Sequence, residues 1–348
     1  EVIPSTATDY SEILLAYSNP GGYNMLSVLD DDIEINDLQY NDNENSIVKQ
    51  HGGVFTWQPD MWEWENGIKD SYESTYTQIM GVNAVLDGVD DVEGSVEEKE
   101  VVKAQALGLR AYYYFMLVNL YGEPYNYNKK ALGVPLKLTS ALLENGITRN
   151  TVEEVYTRIV MDLEQASALF GKYSKRRGDF RINGTATDIL LSRVYLYMEE
   201  WDRAIEAANR AIKRAEGLTD YTTVEAGNQF YMTTYELSEV EWLFDMSITN
   251  FPFVPSGDLL SKYTNGDKRE TLWFNANGSI SKRAQKSGWG PNRTIRISEA
   301  YLNRAEALVL SQNANIGEAL ADLNELRRHR IVGYQDISIS DATILLGE

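Results

Sequence analysis

The residues of this chain best suited to chemistry are aromatic plates set beside amides and carboxylates, and they fall in two separate stretches. One holds Asp42, Asn43, Glu44 and Asn45, followed by Trp57, Asp60, Trp62 and Trp64. The other holds Tyr263, Trp273, Trp289 and Asn292. A pyranose ring presents flat C–H faces ringed by hydroxyls, so a site for it needs aromatic faces to stack on and polar groups that fix its orientation. Both stretches read as loops, where binding residues tend to concentrate. The candidate ligand-binding set is therefore Asp42, Asn43, Trp57, Trp62, Trp64, Tyr263, Trp273, Trp289 and Asn292. For each aromatic the competing reading is core packing, because large aromatics are mostly buried. Trp57 is the member most expected in the core.

Bond-making chemistry has no comparable set. The chain has no Cys, which removes disulfides and thiolate sites, and only two His, so a zinc site would draw its other ligands from carboxylates. There is no phosphate-binding Gly loop with its Lys, no G-x-S-x-G, no H-E-x-x-H and no dinucleotide fingerprint; Gly288-Trp289-Gly290 stands without the rest. Asp42, Glu44 and Ser46 have the alternate spacing of an EF-hand loop. That template wants Gly where Ile47 stands and a bidentate Glu where Gly53 stands, so a solvated acidic loop is the better account. A glycoside hydrolase needs only two carboxylates, and 52 acidic residues are present. Pairs such as Glu97-Glu98, Glu153-Glu154 and Glu199-Glu200 fall on turns and outer helix faces, where solvation explains them. The expectation is binding without catalytic residues, cofactor or metal, with an α-helical glycoside hydrolase and a helix-repeat scaffold for protein partners as the alternatives.

A formal charge of −20 argues against nucleic acid, whose phosphates are met by clustered Lys and Arg. It also disfavours adsorption of the protein surface to an anionic leaflet. No apolar run approaches the roughly 20 residues of a membrane span.

The elements that must position these residues read mostly as helices. In the stretch Val102 to Pro124, Ala104, Gly108, Ala111, Phe115 and Val118 recur at helical steps on one face. Ser95 and Glu98 form a capping box that opens this helix, and Gly122 sits where a left-handed cap would end it. Thr151 and Glu154 make a second box, followed by an apolar face of Val155, Ile159, Leu163, Ala166 and Phe170. Ser5 or Thr8 is expected to cap a first short helix running to about Tyr17, Leu26 to Trp57 reads as loop, and helix resumes near Asp60. Residues 184–217 fit a tetratricopeptide-like pair with Ala204 at its key position and Leu191, Ser192, Tyr195, Ala208 and Ala211 inside. A second pair covers 297–330, with faces of Tyr301, Leu302, Ala305, Leu308, Ala319, Leu320 and Leu323. The predicted fold is mainly α: a tetratricopeptide-like α-helical stack, spanning 60–216 and 297–332, with a loop-rich insertion over 218–296 that contains short strands.

The helix A-x-A-x-x-L-R-A-Y-Y-Y-F-x-L-V-x-L-Y-G-x-P, from Ala104 to Pro124, resembles the signature helix of the SusD/RagB family, surface glycan-binding lipoproteins of Bacteroidota. Further matches follow in family order. They are the acidic Asp30-Asp31-Asp32-Ile33; Tyr76, Ile79, Asn83 and Leu86, preceded by Tyr72 where members carry Trp; Gly133-Val134-Pro135; Arg149 to Tyr156; and the motifs Glu299 to Ala307 and Ala319 to Arg327. The resemblance implies one SusD-like domain over 1–348, shortened at both ends, with ligand groups drawn from the two aromatic stretches. It also implies an outer-membrane protein on the extracellular face, lipid-anchored through a Cys upstream of Glu1. Such a protein would capture oligosaccharide for a SusC-like TonB-dependent transporter.

Overall fold

The computed structural model describes residues 4–18, 29–35, 52–59, 71–144, 146–174, 177–225, 235–245, 253–274 and 293–341. Helix α1 (Ala7–Ala16) opens at Thr6, whose hydroxyl accepts from the Asp9 N–H while the Asp9 carboxylate accepts from the Thr6 N–H. The cap is thus Thr6 rather than Ser5 or Thr8: its extended backbone stands just outside the helix, whereas Thr8 already lies in the first turn. Strand β1 (Ile33–Ile35) and a helical turn over 52–55 interrupt the stretch expected to be loop. Helix α2 (Ser71–Gly88) follows, the start near Asp60 lying outside the described residues.

Helix α3 (Val96–Tyr121) is the centre of the scaffold. The Ser95 and Glu98 box caps it as expected. The face of Ala104, Gly108, Ala111, Phe115 and Val118 is buried, but so is almost every other residue from Val101 to Val118, because α1, α2 and α4 (Val152–Phe170) enclose the helix. Gly122 ends it in extended backbone, φ −114° and ψ 172°, not in the left-handed region; its N–H still bonds the Val118 carbonyl. The close approach of α1 rests on Gly81 in α2, where a Cβ would clash with the Tyr17 ring. A buried polar clamp joins three helices. Arg110 donates to both oxygens of Asp162 at 2.7 and 2.9 Å and to Asn83 Oδ1 at 3.0 Å, and Arg158 donates to Asp162 at 2.5 Å. Asn83 and Tyr114 in turn donate to the Lys137 carbonyl.

The Thr151 and Glu154 box opens α4, whose Val155, Ile159, Leu163 and Ala166 are buried while Phe170 is only half-buried. Helices α5 (Gly184–Tyr197) and α6 (Trp201–Arg214) form the first tetratricopeptide-like pair, with Ala204, Ala208 and Ala211 fully buried at their contact. After the lobe come α9 (Ile297–Leu310) on α6 and α10 (Ile316–Arg328) on α9. Leu302 and Leu323, expected on the packed faces, are exposed: they lie on the sides of α9 and α10 that face away from the neighbouring helices. The fold is the expected helical stack.

Between the pairs lie β2 (Val240–Asp245), β3 (Phe253–Pro255), the short helices α7 (Gly257–Ser261) and α8 (Lys268–Trp273), and β4 (Arg293–Arg296). Strand β2 pairs antiparallel with β4, and β3 pairs antiparallel with β1, with Glu34 opposite Val254. Strand β2 fastens the lobe to the scaffold by serving two cores. Val240 and Leu243 pack with Tyr221, Leu237 and Leu272 inside the lobe, while Trp242 and Phe244 turn to Tyr112 of α3.

Candidate functional site

Of the sequence-predicted set, Asp42, Asn43, Trp62, Trp64, Trp289 and Asn292 lie outside the described residues, as does the EF-hand-like run through Ser46. Trp57, Tyr263 and Trp273 are placed. Trp57 is not in the core: it is 63% exposed and ends the helical turn over 52–55 at φ 54°. Its N–H bonds the Val54 carbonyl, so Val54 takes the buried position and the indole is turned outward. Trp57 makes no ring contact with Tyr263 or Trp273.

Tyr263 and Trp273 are brought together through Phe274, with ring centroids 6.1 and 6.4 Å from it. The row continues to Tyr221, 5.9 Å from Trp273. Three of these four rings, all but Phe274, have a cation over them. The Arg269 guanidinium lies 5.2 Å from the Tyr263 ring, Arg296 5.9 Å from Trp273 and Arg330 4.9 Å from Tyr221. These cations are held by buried carboxylates. Asp267 caps α8 through the Arg269 N–H and takes the Arg269 side chain at 2.6 and 3.0 Å. Glu239, fully buried at the foot of β2, accepts from Arg296 at 3.4 Å, from Arg330 at 3.3 Å and from the Tyr221 hydroxyl. Burial pushes the Tyr263 phenol above its ordinary range, with the Asp267 and Asp32 charges adding to the shift against Arg269.

Strand β1 brings the acidic segment after the first helix to this row. The Ser256 N–H donates to the Asp32 carbonyl at 2.7 Å and the Gly257 N–H to the Glu34 carboxylate at 3.3 Å, tying both to the start of α7. Trp273 Nε1 is buried and has no hydrogen-bond partner among the described residues. Of these rings Tyr263, Trp273 and Phe274 are half-buried, leaving ring surface of the kind on which a sugar can stack, whereas Tyr221 is fully buried behind Trp273.

Sequence reading missed Tyr221, Glu239, Arg269, Arg296 and Arg330. The available signal was a carboxylate beside an apolar strand run, Glu239-Val240-Glu241-Trp242-Leu243-Phe244, and arginines at the borders of the insertion in an acidic chain. Buried carboxylates elsewhere are likewise met by arginine: Asp162, Asp188 with Arg210 and Arg214, and Asp322 with Arg304. Burial raises the Asp188 carboxyl above its ordinary value despite Arg214 and Arg210. Among the described residues no group of three or more metal-ligating side chains comes together.

A family model of SusD-like proteins, whose description is starch-binding associating with outer membrane, matches residues 18–196. A SusD-like protein of Formosa agariphila is 22% identical over 258 residues, which is 72% of this chain and 44% of that protein. The chain therefore spans less than half the length of that relative. Two solved structures share the fold. A SusD superfamily protein from Bacteroides fragilis superposes with a TM-score of 0.78 at 22% identity, covering 98% of this chain and 84% of the other. A SusD-like carbohydrate binding protein from Bacteroides vulgatus gives 0.72 at 20% identity, covering 99% and 79%. With a family match over just more than half its residues, the chain belongs to the SusD-like family.

Proposed function

We propose that this protein is a non-catalytic oligosaccharide-binding protein of the outer cell surface, lipid-anchored to the outer membrane, that passes its ligand to a SusC-like TonB-dependent transporter. The observation that carries the reading is the β1–β3 pairing, which tethers the N-terminal acidic segment to the lobe that bears the row of aromatics. The ligand-binding residues proposed are Asp42, Asn43, Trp57, Trp62 and Trp64 from the N-terminal stretch, with Tyr263, Trp273, Trp289 and Asn292 from the lobe. Family membership supports carbohydrate as the ligand class, and the family description supports the outer membrane as the place. No helix among the described residues is long and apolar enough to cross a membrane. One SusD-like domain carries the function, its scaffold over 60–216 and 297–332 and its insertion over 218–296.

The test is calorimetric titration with a panel of neutral oligosaccharides, run alongside a reducing-end assay over a day. At least one glycan should bind without turnover. Trp64→Ala and Trp289→Ala should each weaken it by about 1–3 kcal/mol, as loss of an aromatic anchor does, with the melting temperature little changed. Full affinity in both variants would move the site elsewhere. Turnover that disappears on mutating one carboxylate would make the protein an enzyme.

A further inference from the structure

We propose that the helical scaffold holds a second site, separate from the lobe, that takes one neutral hydroxylated ring the size of a single pyranose. It is a pocket of about 260 Å³ where the flank of α3, the end of α4 and the start of α5 converge over Arg214 of α6. Its wall contains polar groups that the fold leaves unused. Gln105 is 5% exposed and its side-chain oxygen has no partner; Thr185 is fully buried and its hydroxyl has none either. The amides of Gly184 and Thr185, in the first turn of α5, also lack partners among the described residues, since the Asn183 cap takes the Ala186 N–H instead. Buried polar groups are nearly always hydrogen-bonded, so several left open on one cavity point to a ligand that completes them.

The kind of ligand follows from the balance of those groups. Arg214 does not ask for an anion: its guanidinium already meets Asp188 at 2.8 Å and donates to the Gly184 and Ser167 carbonyls. What remains is a mixture of donors, the two amides and the Thr185 hydroxyl, and acceptors, the Gln105 oxygen and the second oxygen of Asp179, whose Oδ1 already accepts from the Arg181 N–H at 3.2 Å. An anion would use only the first and a cation only the second, whereas each hydroxyl of a sugar both donates and accepts. Two half-buried rings, Phe170 and Tyr173, supply apolar wall, and Tyr173 is fixed by donating to Glu100 at 2.5 Å. Asp179 is pre-set by an unusual backbone: Gly178 has φ 91° and Phe180 φ 62°, the latter anchored where its carbonyl accepts from Trp242 Nε1. Such conformations persist where the surroundings over-determine them, often at ligand sites. The volume falls below the ~300 Å³ at which pockets for drug-sized ligands begin, which favours one ring over a chain of them.

The experiment is saturation-transfer NMR on the full chain with glucose, galactose, mannose and glucuronate at tens of millimolar, repeated on Thr185→Val, Gln105→Met and Asp179→Asn. At least one neutral sugar should bind with millimolar affinity, and each variant should weaken it roughly five- to tenfold, the loss of one hydrogen bond. Thr185→Val and Gln105→Met should leave the melting temperature unchanged or higher, since each removes a buried group that lacks a partner. Asp179→Asn, on the rim, covers the case in which either of those two fails to fold. All three should keep wild-type affinity for oligosaccharide, so a failure here leaves the lobe reading standing. Binding of no neutral sugar, of glucuronate alone, or of a sugar that all folded variants hold equally well would overturn the proposal.

Discussion

Replacing Glu239 tests how the lobe is held in register with the scaffold. This carboxylate is fully buried and takes three donors from three different segments: Tyr221 after α6, Arg296 at the entry to α9 and Arg330 after α10. The two arginine contacts, at 3.4 and 3.3 Å, are longer than the ~2.7–2.9 Å of the strongest charge-assisted bonds, so each belongs at the low end of the ~1.5–3 kcal/mol such bonds contribute. Glu239→Ala also strands Arg330, whose side chain is 8% exposed, and breaking a buried pair by removing one partner costs about 3–5 kcal/mol. The expectation is a loss of about 3–4 kcal/mol for the alanine variant and about 1–2 kcal/mol for Glu239→Gln, which keeps acceptor and shape but not charge. Because Tyr221 and Arg296 both back Trp273, oligosaccharide affinity should fall with stability. Equilibrium urea unfolding followed by near-UV dichroism reads the first quantity and calorimetry the second. An alanine variant that unfolds within about 1 kcal/mol of the parent would refute the reasoning, since no buried unpaired arginine is that inexpensive.

Arg110→Met should destabilise by about 3–5 kcal/mol in the same urea assay, tempered by Arg158, which keeps one bond to Asp162. Gly81→Ala should lower the unfolding midpoint even though alanine gains about 1 kcal/mol of helix propensity, because its methyl would meet the Tyr17 ring and displace α1; a higher midpoint would show that α1 docks otherwise. Backbone donation from Thr151, aided by Asn150 and the Thr151 hydroxyl, holds the Glu154 carboxyl below its ordinary 4.5. A depressed carboxyl stabilises the fold above its unfolded value and loses that contribution as pH falls through the lower folded value, so Glu154→Gln should flatten the acid limb of stability below the ordinary carboxyl value of 4.5. An unchanged limb would mean the box is absent in solution.

Local features were legible in the chain and distant ones were not. The boxes at Ser95 and Thr151 are spelled by residues three apart, and both form. The first cap is not legible because Ser5, Thr6 and Thr8 all offer a hydroxyl, and only the extended backbone at Thr6 decides among them. Asp162 is legible as a buried charge: it stands seven residues after Val155 and three after Ile159, on the apolar stripe, so its charge has to be met inside. Nothing in three-residue strands announces that Ile33 pairs with Pro255 more than two hundred positions away. Trp57, the binding candidate most expected in the core, is exposed, with its backbone in the left-handed region. The row around Trp273 depends on Arg296 and Arg330, whose role appears only once β2 is laid between the two helix pairs.

Hydrogen–deuterium exchange of the full chain, with and without a saturating oligosaccharide found by calorimetry, tests most directly that the N-terminal stretch and the lobe form one glycan site. Protection should appear together at 29–35 and 253–274, with little change across α5 and α6. Protection confined to only one of these segments, or centred on the helix pairs, would contradict the account.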